Sequence, residues 1–439
     1  MPENNYKQRI ITLTILSGII CGYVLGVIAL ILPNLVKHSY MLKEQVSLLA
    51  GALLLGCFIS SIYTGSLSDY LGRKKVIFVT MVIFILGTLY FIFAKSYYHL
   101  YAARFIQGIA YGMCEIVMPL YLVEVSETRW RGQIITAFKM ANTGGALVAS
   151  LIWLAISVDY YSWAFAVALL IPIWIMLILR SLPESPRWLV AKSRVDEARR
   201  VLTANNPASA ELILSEISAA QQGSSARVSE LWKRRNLLPF LIILAAVSLN
   251  QLTGISVFVQ NSIQILKDSG LSSEIVGVLG NISISLVNFA AMTATLFLVE
   301  KIGRKKILII GTSGLLLSLL MLYAAHALLP AGELIGYITL AGIVLVVGFF
   351  AFGHGALILV ISTELLPTNI RGVAISIAFT IGALAGTLFV SWFGSLSASL
   401  GYAHLFLIMA GFVGCYLLIS LFIPETRGKS LENITWGKK

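Results

Sequence analysis

The stretch VSLLAGALLLGCFISSIYTGSLSDYLGRKK, residues 46–75, decides the architecture. From Val46 to Leu67 it is almost wholly apolar, about the length a helix needs to cross the hydrocarbon core of a bilayer. The run stops at Ser68-Asp69 and is followed by three cations, Arg73, Lys74 and Lys75. An uncharged run ending in a basic cluster reads as a membrane span whose basic end faces the cytoplasm. The turn then returns: Gly72-Arg73-Lys74-Lys75 recurs as Gly303-Arg304-Lys305-Lys306. A repeated basic turn points to a duplicated membrane protein.

The whole chain agrees with that stretch. Of 439 residues 58% are apolar and 12% charged, against roughly 25% charged in a soluble domain. So oily a chain has too few polar groups to cover a soluble surface, which excludes a cytosolic enzyme, a disordered chain and a nucleic-acid binder. Twelve runs have spanning length: Ile11 to Val36, Val46 to Leu67, Val76 to Ala94, His99 to Val123, Gln133 to Val158, Tyr161 to Leu182, Leu237 to Ser262, Ile275 to Val299, Ile307 to Leu328, Leu334 to Thr363, Val373 to Leu396 and Tyr402 to Ile423. They are continuous rather than alternating, unlike barrel strands. The first is too long, and lacks a small-residue cleavage site, for a removable signal. Cys21, Cys57, Cys114 and Cys415 lie inside apolar runs without metal-ligand spacing and read as small core residues.

With the N-terminus inside, 26 of the 32 Lys and Arg residues fall on the inner side. This asymmetry places both termini in the cytoplasm and the chain in a plasma (inner) membrane. Three parts follow: a six-span bundle over 1–182, a polar cytoplasmic linker over 183–236 with short amphipathic helices, and a six-span bundle with a cytoplasmic tail over 237–439. Two further motifs repeat. Glu124 with Arg131-Gly132 returns as Glu364 with Arg371-Gly372, and Pro183-Glu184 returns as Pro424-Glu425.

Three motif pairs in one order at nearly constant offset resemble the major facilitator superfamily, and within it the sugar porters. The resemblance rests on Asp69-Tyr-Leu-Gly-Arg73-Lys-Lys, Arg104 with Gly108, Pro119-Leu-Tyr121 before Glu124, Pro183-Glu-Ser-Pro-Arg187-Trp188-Leu, Gln251-Leu-Thr-Gly254 and Pro424-Glu-Thr-Arg427-Gly-Lys-Ser. It covers the whole chain. It implies an all-α integral membrane fold of twelve transmembrane helices in two pseudo-symmetric six-helix bundles, opening a central site alternately to either side.

Charged and polar residues then sort into three groups. The acids Asp69, Glu124, Glu184, Glu300, Glu364 and Glu425 alternate with Arg73, Arg131, Arg187, Arg304, Arg371 and Arg427 at the inner span ends. Guanidinium–carboxylate pairs are planar and bidentate, so this belt reads as a cytoplasmic gate that latches the two halves. Within the spans stand Arg104, Glu115 and Lys139. Ionisable groups in a bilayer are functional candidates. Arg104 and Glu115 are about three helical turns apart on one face, while Glu115 and Lys139 lie at similar depth on neighbouring spans and are placed to form an ion pair. That pair is read either as a structural bridge or as a device in which Glu115 carries a proton and Lys139 meets a substrate anion.

The third group comes from the resemblance. It places substrate contacts at Lys139, Asn250, Gln251, Ser256 and Asn288, with Gln260 and Asn261 nearby. It also exposes departures: Val24 stands where proton-coupled sugar porters carry an acid, Leu359 where the family has an indole on span ten, and Gly382 where a polar residue is expected. His354 reads as a hydrogen-bonded packing residue.

The function expected is a secondary active or facilitative transporter of a small polar metabolite, sugar-like or a sugar acid or organic acid, with protons as the candidate coupling ion. Proton-driven efflux of drugs or metabolites and a transport-inactive nutrient sensor are the alternatives. The sequence carries no Walker-type loop, metal cluster or nucleotide fingerprint, so no cofactor, no catalytic residue, no metal ligand and no nucleic-acid partner is expected. Its partners are the solute, protons and the lipid bilayer, and it is expected to work as a monomer.

Overall fold

A computed structural model describes residues 3–37, 41–42, 45–126, 131–155, 161–205, 210–222, 231–271, 273–330, 332–366 and 371–425. In the first half the spanning helices are α1 (Glu3–Lys37), α2 (Val46–Leu71), α3 (Arg73–Phe93), α4 (Tyr97–Val125), α5 (Arg131–Ala155) and the pair α6 (Tyr161–Ala168) and α7 (Leu170–Ser181). Three short helices follow: α8 (Pro186–Ala191), α9 (Val195–Asn205) and α10 (Ala210–Gln222). The second half holds α11 (Arg234–Leu252), α12 (Ile255–Asp268), α13 (Glu274–Ile302), α14 (Arg304–Leu328), α15 (Glu333–Phe350), a π-helical turn (Ala351–Gly355), α16 (Ala356–Leu365) and α17 (Arg371–Phe422).

Among the described residues eleven helical stretches are long and apolar enough to cross a membrane. The last, Val373–Phe422, has 50 residues, about twice a spanning length. Gly401 interrupts it with φ 76° and ψ 161°, so it makes two crossings and the total is twelve. Three other spans are interrupted where the sequence shows continuous apolar runs. One breaks at Leu169, one at Thr253-Gly254, and one carries the π-helical turn. Interruptions of a spanning helix free backbone groups, which a membrane tolerates only where protein or a polar cavity covers them.

The basic turn of each half is built alike. Gly72 has φ 99° and Gly303 has φ 101°, a region that L side chains avoid. At Gly72 an added Cβ would stand 2.6 Å from a Glu184 carboxylate oxygen, and at Gly303 2.6 Å from Glu425. The absent side chain lets each carboxylate reach the start of the next helix. Glu184 accepts from the Lys74 backbone N–H at 3.2 Å, and Glu425 accepts from Arg304 at 3.0 Å and Lys305 at 3.1 Å. Anions suit helix N-termini because unpaired N–H groups and the helix dipole converge there.

By packing, the chain divides into two units. One comprises Met1–Val24, Leu55–Ala146 and Ser162–Ser225, the other Leu25–Leu54, Leu147–Tyr161 and Ala226–Lys439. In the first, α1 lies so close to α5 that a Cβ on Gly22 would sit on the Asn142 carbonyl oxygen, while Gly145 faces the Ile19 carbonyl in return. Gly18 and Gly22, four apart on α1, permit this approach between spanning helices. The short helices keep a small core of their own around Trp188, Leu189, Ala198, Leu202 and Leu214. Trp188 donates its indole N–H to the Asp69 carbonyl at 2.9 Å, and Tyr121 its hydroxyl to the Pro183 carbonyl at 2.6 Å, which ties this segment to α2 and α4. In the second unit Asn281 of α13 donates to Ser150 Oγ and accepts from Ser262 Oγ, both at 2.9 Å.

Candidate functional site

In the first unit α4 and α5 bring together three polar groups at mid-span. Lys139 Nζ lies 2.7 Å from Glu115 Oε2, and Asn142 Nδ2 lies 2.6 Å from Glu115 Oε1. Lys139 and Asn142 are three residues apart on one face of α5, so a single carboxylate on the facing helix meets both. The Lys139 side chain is 40% exposed and that of Glu115 18%, so the lysine opens onto space. In the sequence Asn142 stands as a lone span amide, a residue that is as often helix–helix glue as a partner. Its i,i+3 relation to Lys139 is the signal that finds it.

Arg104 is elsewhere in the same helix and fully buried. Nη1 donates to Gln107 Oε1 at 3.1 Å, and Gln107 donates on to Thr88 at 3.3 Å. Among the described residues no carboxylate pairs with it, and its Nε and Nη2 find no acceptor. Arg104 and Glu115 thus share a helix face without sharing a partner. At the position where the family carries an acid, Val24 is fully buried and apolar.

The belt of charges at the span ends is partly visible. Arg73 makes a two-point contact with Glu124, Nε to Oε2 at 2.9 Å and Nη2 to Oε1 at 3.3 Å, and its Nη1 stands 2.8 Å from Asp69. This cluster lies within the first unit, as do the Glu184 contacts. Glu184 accepts backbone N–H groups from Lys74 and, at 2.8 Å, Ser185. Its burial pushes the carboxyl above the usual carboxylate range, and the two backbone N–H groups and the nearby Arg73 oppose that only in part. Glu425 takes the same capping position in the second unit, and Arg304 opens α14 there. Arg187 is exposed on α8. Arg427 lies outside the described residues, and so do the side chains of Arg131, Glu300, Glu364 and Arg371.

In the second unit the amides gather about the break between α11 and α12. Gly254, with φ 84°, separates the two helices, and Thr253 Oγ1 donates to the Asn250 carbonyl at 2.7 Å. Among the described residues, four buried side-chain atoms around this break have no partner: Asn250 Nδ2, Gln260 Nε2, Gln260 Oε1 and Asn261 Oδ1. Gln251 is half-buried against Gly386 of α17, and Ser256 and Asn288 are half-buried on α12 and α13. Gly382 packs on α11, where an added Cβ would stand 2.9 Å from Val247, so close helix contact accounts for its small size.

His354 corrects the sequence reading. It sits in the π-helical turn, stacked on Phe350 at 5.5 Å and against Tyr416 at 4.2 Å, and among the described residues neither ring nitrogen has a partner. Ring packing, not hydrogen bonding, holds it, because the π-helical turn swings the ring between two aromatic faces.

Comparison with known proteins bears on the fold and the family. Residues 10–437 match the family model described as Sugar (and other) transporter. The glucose transporter GlcP of Staphylococcus epidermidis is 30% identical over 98% of this chain and 97% of its own length. The major myo-inositol transporter IolT of Bacillus subtilis is 28% identical over 98% and 94%. Among solved structures, the inward open conformation of the xylose transporter XylE from E. coli superposes with a TM-score of 0.80 at 22% identity, covering 96% of this chain and 98% of that one. This chain therefore belongs to the sugar (and other) transporter family, a family of transporters and not of enzymes.

Proposed function

We propose that the chain carries a neutral polyhydroxylated solute, a sugar or polyol, across a plasma (inner) membrane by alternating access, with a proton on Glu115 as coupling ion. The observation that carries the solute class is the set of unmet amide atoms at the α11–α12 break. Two are donors, Asn250 Nδ2 and Gln260 Nε2, and two are acceptors, Gln260 Oε1 and Asn261 Oδ1. A hydroxyl both donates and accepts, whereas a carboxylate only accepts. Hydroxyls therefore satisfy all four, and a carboxylate leaves the two acceptors unmet at a cost of about 1–3 kcal/mol each. Lys139 supports the same choice, since Glu115 already balances its charge at 2.7 Å. The relatives named for glucose, myo-inositol and xylose agree with a neutral solute.

A sugar acid is the second reading, favoured by the 40% exposure of Lys139. It requires that a proton first neutralise Glu115 and release the ammonium group. A thermal-unfolding series on purified protein with glucose, xylose, myo-inositol and gluconate separates the two. Stabilisation by a neutral member, lost in Gln260→Ala, is expected. Stabilisation by gluconate alone, lost in Lys139→Gln, would replace the neutral solute with the acid.

For coupling, the burial of Val24 and the acid-free surroundings of Arg104 shift the proton to Glu115, whose neutralisation would free both Lys139 and Asn142. Such a link between proton and solute binding is reciprocal by necessity. The belt around Arg73, Glu124 and Asp69, with Arg131 and its counterparts, serves as the inner gate, and both termini lie in the cytoplasm.

A further inference from the structure

Two neighbouring spans of the first unit show stripes of exposed apolar residues. On α3 the stripe runs Phe78, Val79, Leu86, Leu89, Tyr90 and Phe93; on α7 it runs Leu170, Ile173, Trp174 and Leu177. Spacings of three and four put each set on one helix face, and an exposed apolar face on a spanning helix is one that lipid covers. Each stripe ends, at the end of the span that bears the short helices, in an exposed cation on the same face: Lys75 on α3 and Arg180 on α7. The two helices pack together. Between these ends and α8 lies a cavity of about 380 Å³, within the range of small-ligand sites.

The walls of the cavity divide by chemistry. Phe78, Met176 and Leu179 supply an apolar side continuous with the stripes, and Trp188 an aromatic edge. Of the cations on the wall, Lys74 is spent on the end of α7, where Nζ donates to the Leu182 carbonyl at 2.6 Å. Arg194 is held by Glu197 at 2.6 and 2.7 Å. The acid on the wall, Glu184, is turned to backbone N–H groups. Among the described residues neither the Lys75 ammonium nor the Arg180 guanidinium has a protein partner. Two free cations therefore stand at the mouth of an apolar groove that opens to the bilayer.

The second half shows that this is more than the usual basic inner rim. Lys306 repeats Lys75, and Lys305 Nζ donates to the Leu421 carbonyl at 2.7 Å as Lys74 does to α7. Yet Leu421 stands where the first half has Arg180, so the repeat keeps one cation of the two.

We propose that the cavity between α3, α7 and α8 binds one anionic phospholipid of the surrounding bilayer. Its phosphate lies between Lys75 and Arg180, and an acyl chain runs along Phe78 and Met176. Basic pockets between spanning helices at the membrane surface suit anionic headgroups, at about 1 kcal/mol per cation. The site goes beyond the transport reading and does not depend on which solute is carried.

The test uses delipidated full-length protein in neutral detergent, titrated with palmitoyl-oleoyl phosphatidylglycerol while bound lipid is counted by native mass spectrometry. One tightly held lipid is expected, with the matching phosphatidylcholine bound weakly. The double variant Lys75→Gln, Arg180→Gln should lose roughly thirtyfold in affinity, and Lys306→Gln should bind like the parent. The charge-keeping pair Lys75→Arg, Arg180→Lys should retain binding, which separates lost charge from lost folding. Equal loss in Lys306→Gln, or undiminished binding in the double glutamine variant, would overturn the proposal. So would displacement of the lipid by glycerol phosphate at equal concentration, since that would make the site one for a free phosphate.

Discussion

At the scale of single residues, the chain places few charges inside its spans and gives nearly all of them a close partner. Glu115 answers to both Lys139 and Asn142, so a proton there changes two contacts at once. In proteoliposomes with an imposed pH gradient, Glu115→Gln should abolish accumulation while leaving exchange of solute down its own gradient. Full gradient-driven accumulation in that variant would remove Glu115 from the mechanism. Outside the spans, Glu184 carries a pH signature. Burial raises its carboxyl above the ordinary value in the folded protein, so between the two values the folded state holds more protons than the unfolded chain. Its contribution to stability is therefore full below the ordinary value and falls as pH rises through the raised one. Glu184→Gln keeps an oxygen for the backbone N–H groups and should flatten unfolding temperature over that window. An unchanged pH profile would show that the carboxyl ionises normally.

Elements are joined by small residues and neutral amides more than by charge. Gly22 lets α1 rest on the α5 backbone, which holds Lys139 and Asn142 at the depth of Glu115. In the second unit, Asn281 links α12 and α13 to the Leu147–Tyr161 end of α5 through two bonds of 2.9 Å. Interhelical bonds of this kind contribute about 0.6 kcal/mol on average and up to about 1.7. Asn281→Ala should accordingly cost about 1–2 kcal/mol in reversible unfolding. Equal stability of Asn281→Ala and the parent protein would mean that packing alone holds these helices. The breaks within spans belong to this scale too. The Thr253-Gly254 break leaves amides on both sides without partners among the described residues, and the π-helical turn turns His354 between two rings.

For the whole molecule, the proposed gate is tested at the turns duplicated in the two halves. Arg131→Ala should weaken the closed inner side and make cysteines placed on the inner ends of the spans more accessible to a membrane-impermeant maleimide. Accessibility equal to the parent's from both sides would remove the latch. Those labels also report sidedness: reaction of a tail cysteine from outside intact cells would reverse the orientation argued from the Lys and Arg distribution.

Much of this architecture was legible in the amino-acid order. Span length, helical class, the duplicated turns and family membership are local properties, set by runs of about 20 apolar residues and by motifs a few residues long. The depth match of Glu115 and Lys139 was equally legible, because both are counted along regular helices from a shared end. What the order of residues left open is non-local. Val46 to Leu67 and Leu237 to Ser262 are equally apolar runs, yet one folds as an unbroken helix and the other breaks at Gly254. Hydropathy records how oily a segment is, not whether a neighbour covers its freed backbone. In the same way, only packing decided that Glu184 and Glu425 would cap helices, that Arg104 would meet an amide instead of an acid, and that Lys75 and Arg180 would share a cavity. Such outcomes depend on which faces of distant segments meet in three dimensions.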